Sequence, residues 1–580
     1  MVINKNLPDR EKAEKLCREL DRLKKERSAF EGTWKEAQEL VSSIILSFEV
    51  AEGNAAKGYN LPKRITNRPA NFHETLVAGL CGYAVNPNIT WMKLGLSDQE
   101  AMKASGVKDW LDQVELAKYE EFDNLNFYPE MKIVVDQATI FGFGIMYIEE
   151  DIVNTRARFR QIDVTEAYLD TNEYNEYETV FRRFFMTVEN TVSRFSLGSM
   201  HQSIRDRWSV SNSEEKTREI EILHAVFRRK NRKGMSERNT EKPFASFVVD
   251  VANRHVIEES GYDSFPYAIF VWDRIGGMKY PVSPAIKAIN DVKLLHKTED
   301  TRLTLAQMAA KQPVALPETM RKASEIFGKD GYLKPGAMLY YDKGAGEGTP
   351  SALNIGGNYP ITLDITQQMA NNIKDWFFVD FFLMLQQQNV GAMTATAVQA
   401  LQGEKAAVMT NMIVNLKKAL QVVVQRTYDI MARQGRIPEL PPPLLRGGDG
   451  YRMKFTFASV LSQIQQSALR YQGAKQWLPV AGAVANLGQA YPPALAALDR
   501  FDFDVILQNE ARAASMPETA IREDEDVQAM QAQRAEAEAA QMQAAQQAQE
   551  QTLMAQNYNK LNEPPVPGSP AEALFGQGVA

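Results

Sequence analysis

The chain has 580 residues, with 66 lysines and arginines against 73 aspartates and glutamates, a formal net charge of −7. Hydrophobic residues make up 44% and charged residues 24%, which excludes wholesale disorder and leaves ample core for several structural units. The balance argues against a surface that grips nucleic acid throughout, and Cys17 and Cys81 are too few for a disulfide framework.

Leu16, Leu20, Leu23, Phe30, Trp34, Ala37 and Val41 recur at spacings of three and four, with Arg27 the one interruption, so the chain opens with an amphipathic helix. Pro8-Asp9 marks its start. Further helices are predicted over 70–83 and 107–125, and 140–148 reads as a buried strand or a helix-to-strand turn followed by acids. From 157 to about 270 the texture is β: short aromatic and β-branched runs alternate with polar turns, and 228–234 forms a long hairpin tip. Helix returns at Ser283-Pro284 and runs to Lys311. A Pro- and Gly-rich insertion separates it from a second helix over 362–388. A polar, small-residue segment, 389–397, leads into a long helix closed by Gly435 and Pro438, and a further αβ region reaches Phe503. The last helix begins at Pro517, and 557–580 reads as a disordered end. The fold class is α+β, mainly helical.

Residues 376–385 are the most apolar run. They are about half the length a spanning helix needs and contain Asp380. The N-terminus has no apolar stretch of signal-peptide length, so no membrane or secretory role is expected. Charge is uneven: residues 516–556 hold eight acids and two bases, which places most of the net charge in the last helix.

The motifs of catalysis are missing from the sequence. A triphosphate-binding loop needs G-x-x-x-x-G-K-[ST], but Gly328-Lys329 is followed by Asp330. There is no H-E-x-x-H, C-x-x-C or G-x-S-x-G. Glu149-Glu150-Asp151 reads as a solvated strand end, since only alternate residues share a face. The bases of 228–233 read as a solvated turn, and His296 as an unpartnered polar side chain. No catalytic residue, metal or cofactor is expected. Phe377, Phe378, Phe381 and Phe382 span a wide arc for a helix with one neighbour. They are expected to lie between subunits, against the plainer alternative of a central core helix.

Several segments, in order, resemble the portal, or head-to-tail connecting, proteins of short-tailed DNA bacteriophages. They are Ser260-Gly-Tyr-Asp-Ser-Phe-Pro-Tyr267 with Trp272, Arg274, Tyr280 and Ser283-Pro-Ala285; Asn86-Pro-Asn-Ile-Thr-Trp-Met-Lys-Leu94; Phe141-Gly-Phe-Gly-Ile-Met-Tyr147; Thr394-Ala-Thr-Ala-Val398; and Phe501-Asp-Phe-Asp504. The resemblance covers roughly residues 10–530. It implies a portal protomer with an N-terminal wing over 1–282 (helical 1–140, β-rich 141–282) and a first stem helix over 283–311. A clip over 312–361, a second stem helix over 362–388 and a channel loop over 389–397 follow. The long helix and C-terminal wing take 398–515, and a crown or barrel helix takes 516–556. It also implies a non-enzymatic ring of twelve copies at a capsid vertex of the virion, assembled in the host cytoplasm. Double-stranded DNA passes through its channel in packaging and ejection, and its partners are a terminase motor, a tail adaptor, and the major capsid and scaffolding proteins. Gln386, Gln387, Gln388, Asn389, Thr394 and Thr396 would then face DNA without an anchoring charge. Lys287 and Lys293 would supply sparse phosphate contacts or, with equal weight, rim charges. A DNA-processing enzyme with an unrecognised carboxylate site is the alternative, as is a tail adaptor or minor capsid protein.

Overall fold

The computed structural model describes residues 7–43, 45, 61–98, 101–102, 104, 106–210, 213–229, 239–317, 335–341, 351–352, 359–386, 409–441, 453–459, 461, 482–484, 486 and 524–561. The chain divides into two compact units, one of residues 1–506 with 513–515 and one of residues 507–512 with 516–580.

Helix α1, Asp9–Val41, buries the predicted stripe, including Leu16, Leu20, Leu23, Trp34, Ala37 and Val41. Arg27 is buried with them at 1% exposure. Its Nη1 donates to the carbonyls of Val164, Thr165 and Ala167 at 3.1, 3.0 and 2.8 Å, and its guanidinium lies 3.8 Å from the Tyr168 ring centroid. The interruption of the stripe is therefore a clamp on the turn before a strand. Helix α2, Arg68–Ala84, carries Pro69 in its first turn, where the missing N–H costs nothing. Strand β1, Met92–Leu96, is followed by α3, Val107–Asn124.

The next helix, α4, Phe127–Phe141, falls within the 1–140 stretch expected to be helical but was not predicted as an element of its own. It ends on Gly142 at φ 95°, and the chain turns directly into β2, Phe143–Asp151. A side chain at Gly144 would collide with the Val134 backbone, so glycine is what allows β2 to lie against α4.

The β-rich region forms two sheets. Strand β2 is central to the first, between β3, Arg156–Ile162, and β9, Tyr267–Val271. The second is an antiparallel meander of β4, Ala167–Thr171; β5, Tyr177–Thr187; β6, Glu219–Arg228; β7, Phe244–Asp250; and β8, His255–Tyr262. Three short helices interrupt it between β5 and β6: α5, Val188–Phe195; α6, Gln202–Ser209; and α7, Ser213–Thr217. The hairpin tip expected at 228–234 connects β6 to β7, but residues 230–238 lie outside the described residues.

Buried polar bonds tie the sheets together. Tyr147 and Tyr262 share a hydroxyl bond of 2.8 Å. His224 is held between Ser246 and Tyr267, at 3.0 Å from each. Burial pushes the His224 imidazole down to about 3, so it is neutral and each ring nitrogen has a partner.

Helix α8, Pro284–Ala310, starts on Ser283, whose hydroxyl caps the Ile286 N–H at 2.9 Å and donates to the Ile140 carbonyl at 2.7 Å. The following insertion contains a three-stranded sheet: β10, Val314–Pro317, pairs in parallel with β11, Met338–Tyr341, and antiparallel with β12, Ser351–Ala352. The second stem helix was expected to run unbroken. It is instead two helices, α9, Tyr359–Trp376, and α10, Val379–Gln386. Phe378 sits between them at φ 52°, a left-handed conformation that is strained for an aromatic residue.

Helix α11, Thr410–Arg433, ends at Gly435 with φ 65°. It is tied to the sheets by buried donors: Arg426 bonds the carbonyls of Ile148 and Ser264, both at 2.9 Å. Strand β13, Met453–Phe457, pairs antiparallel with β1, so a segment more than 350 residues downstream completes this two-stranded sheet. In the second unit, α12, Asp524–Leu561, exposes its side chains from 531 to 556 and continues past the end expected at 556. Residues 562–580 lie outside the described residues.

Candidate functional site

The candidate elements are α8, the small sheet, α9 and α10. Asp291 Oδ2 accepts a bond from Trp376 Nε1 at 3.0 Å, and the insertion joins the far ends of α8 and α9. The two helices are therefore antiparallel. Below the sheet they merge with the main core, which Val292 and Leu295 of α8 and Ile373 of α9 enter together.

The structure corrects the reading of the aromatic arc. Phe377, Phe381 and Phe382 are 0%, 1% and 0% exposed within a single chain. Phe377 meets His73 edge-on at 6.0 Å, and Phe382 stacks on Tyr83 at 6.3 Å. Phe378 is partly buried, 6.5 Å from Trp272. The arc is wide because α2 covers one side and Trp272 lies on the other, so three of these four rings have no surface left for a neighbouring chain. A side chain at Gly79 of α2 would strike the Phe382 ring. The absence of a Cβ there is what seats the aromatic ring.

The two lysines singled out on α8 do not converge on a common face for phosphate. Lys287 pairs with Asp273 at 2.5 Å, and Lys293 with Glu36 of α1. Both charges are matched within the chain, which weakens any pull on a polyanion. Gln386 closes α10. Gln387, Gln388, Asn389, Thr394 and Thr396 lie outside the described residues.

The acids at the end of β2 do not assemble a catalytic site. Glu149, Glu150 and Asp151 pair respectively with Arg194 at 2.6 Å, Arg433 at 2.8 Å and Arg158 at 2.7 Å. These pairs brace the strand against α5, α11 and β3. No group of three or more His, Cys, Asp or Glu that could hold a metal ion occurs among the described residues, and none of their helices is long and apolar enough to cross a membrane.

Two buried groups that the sequence reading passed over anchor α3 to α11 and β1. Lys118 is 1% exposed and donates to the Val424 carbonyl at 2.6 Å. Desolvation pushes it down to about 7. Glu115 accepts from the Leu94 N–H at 3.2 Å, and burial raises its carboxyl to about 7, against the pull of Lys93. Only a helical wheel coupled to knowledge of α11 and β1 would have found them.

The Glu115 shift has a defined consequence. Its folded value lies above the unfolded one, so between about pH 4.5 and 7 the native chain holds more protons. Stability from this group is full below that window and is lost as pH rises through it, by at most about 1.4 kcal/mol per unit. Glutamine at 115 keeps the acceptor for Leu94. Urea midpoints at pH 5 and 7 should therefore differ less in Glu115→Gln than in the wild type, and an identical pH dependence would contradict the assignment.

The arrangement is a helical hairpin that carries a small sheet and is rooted in a mixed α/β body, in which the first and last strands among the described residues pair. The chain belongs to the bacteriophage head to tail connecting protein family, whose profile matches residues 13–521. It is 27% identical over 527 residues to the portal protein of Salmonella phage epsilon15, covering 90% of this chain and 91% of that one. It is 24% identical over 495 residues to the probable portal protein of Bordetella phage BPP-1, covering 83% and 84%.

Proposed function

We propose that this chain is a portal protomer: copies form a ring at one capsid vertex, and the ring is the channel through which double-stranded DNA is packaged and ejected. It is a structural component of the virion and carries no catalytic step. The single observation that carries the reading is a family match over residues 13–521, which takes in both stem helices, the small sheet between them and the wing. The ring has twelve subunits. The sheet of β10, β11 and β12, at the far end of the stem, is the clip that docks a terminase motor and later a tail adaptor. Major capsid and scaffolding proteins surround the wing during assembly in the host cytoplasm.

Passage without grip suits the chemistry. Gln386, Gln387, Gln388, Asn389, Thr394 and Thr396 offer polar contacts with no charge to anchor a phosphate. The acids of α12, repeated around a ring, would repel DNA electrostatically. The packaging energy comes from a separate ATPase. Native mass measurement of the purified protein tests the reading, with an expected particle of twelve copies of a 65.3 kDa chain and a ring in electron images. A stable monomer at every concentration and salt would overturn it.

A further inference from the structure

The sheet of β1 and β13 has two outer edges that differ. In its antiparallel register Lys93 faces Thr456 and Gly95 faces Lys454, and Ala458 N–H donates to the Trp91 carbonyl at 2.9 Å. Hydrogen-bonded pairs alternate along such a ladder. The even-numbered residues of β1 and the odd-numbered residues of β13 therefore turn their N–H and C=O groups outward. On β1 that edge is capped: Met92 N–H donates to the Tyr119 hydroxyl at 2.7 Å, Leu94 N–H to Glu115 at 3.2 Å and Leu96 N–H to Met102 Sδ at 3.3 Å. On β13 the N–H and C=O groups of Met453, Phe455 and Phe457 meet no partner among the described residues. Phe455 and Phe457 are 8% and 2% exposed, so this edge is withdrawn from water and calls for another strand.

The two faces of the sheet define that strand. Met453, Phe455 and Phe457 turn to the core with Met92, Leu94 and Leu96. Lys454 and Thr456 lie exposed on the opposite face, and Lys454 makes no ion pair among the described residues. A fitting strand alternates apolar with polar residues, lacks proline and sets an acid opposite Lys454. Phe501-Asp-Phe-Asp-Val505, which lies outside the described residues, has this pattern. Laid antiparallel with Phe503 opposite Phe455, it puts Phe501 against Phe457, Val505 against Met453 and Asp504 against Lys454. Leu46-Ser-Phe-Glu-Val50 alternates too. It offers one aromatic ring to the two of β13, and one acid where 501–505 offers two.

We propose that residues 501–505 add to the free edge of β13 as an antiparallel third strand within the same chain. Leu507 opens the second unit, so the added strand fastens the chain to the first unit one residue before it leaves. A pull on the C-terminal helix is then taken by backbone hydrogen bonds before it reaches the core. The strand forms whether or not copies assemble, which makes it independent of the ring reading above.

Disulfide trapping tests it on the full chain. Thr456 and Asp502 would form a non-hydrogen-bonded pair, with Cα atoms about 4.5 Å apart, within reach of a disulfide. Under mild oxidation, Thr456→Cys with Asp502→Cys should cross-link within one chain in most molecules, read as a reducible gain in gel mobility. Thr456→Cys alone controls for Cys17 and Cys81. Lys454→Cys with Asp504→Cys, the next such pair, should behave in the same way. Lys454→Cys with Asp502→Cys is displaced by two residues and should cross-link at least tenfold less. Adding Phe503→Pro to the first pair removes an N–H that the ladder needs and should also cut the yield at least tenfold. Both registered pairs failing to cross-link, equal trapping in the displaced pair, or a cross-link that joins two chains would each overturn the proposal. So would Ser47→Cys trapping Thr456→Cys where Asp502→Cys does not.

Discussion

Replacing Arg27 by methionine should lower the free energy of unfolding by about 3–5 kcal/mol, a large loss for a single residue. The side chain crosses from α1 to the connection between β3 and β4, where three carbonyls accept from one nitrogen. Its Nε reaches Glu31 at 2.8 Å, and the Tyr168 ring closes the far side of the guanidinium. Methionine fills a similar volume and preserves the apolar stripe of α1. It leaves buried carbonyls short of a donor, at about 1–3 kcal/mol for each that finds no water, with the individual losses not additive. Lysine keeps the charge but presents no planar fork, so Arg27→Lys should recover only part of the loss. Urea unfolding read by near-ultraviolet circular dichroism measures both. An Arg27→Met variant within 1 kcal/mol of the wild type would mean that the clamp is not stabilising.

Arg27 also marks what was legible in the sequence and what was not. The periodicity of α1 could be read from spacing alone, and so could the anomaly at 27. The acceptors could not, because they lie some 140 residues downstream. Helix α4 was not delimited as an element of its own because Ile133, Val134, Val135, Thr139 and Ile140 are poor helix formers on propensity. Burial against α2, β2 and α8 overrides that preference. The break at Phe377 and Phe378 has no glycine or proline to announce it, and packing imposes it. Lys287 and Lys293 are visible as bases in the sequence, yet Asp273 and Glu36, which neutralise them, are set by tertiary structure. An aromatic arc has the same sequence signature whether its own chain or a neighbour covers it. That is why Phe377, Phe381 and Phe382 were assigned to the wrong surface.

Phe382→Asp, and likewise Phe381→Asp, should unfold the protomer rather than release folded monomers from a ring. Removing a buried phenylalanine costs about 3–5 kcal/mol, and a carboxylate forced into the same space adds several more unless it is protonated or hydrated. Together these approach or exceed the roughly 5–15 kcal/mol that holds a typical domain. The expected product is aggregated chain without near-ultraviolet dichroism. A soluble, natively folded monomer would instead return these rings to the subunit interface. Gly79 supplies the independent check, because it touches the same ring without altering it. Gly79→Ala drives a methyl group into Phe382, and overpacking of this kind costs about 1–3 kcal/mol. Phe382→Leu gives up ring atoms where that methyl would go. If the contact is within one chain, the double variant should be more stable than the sum of the two single losses predicts, by about 1 kcal/mol or more. That coupling should appear equally in urea unfolding at protein concentrations too low for rings to form, because both partners lie in the same chain.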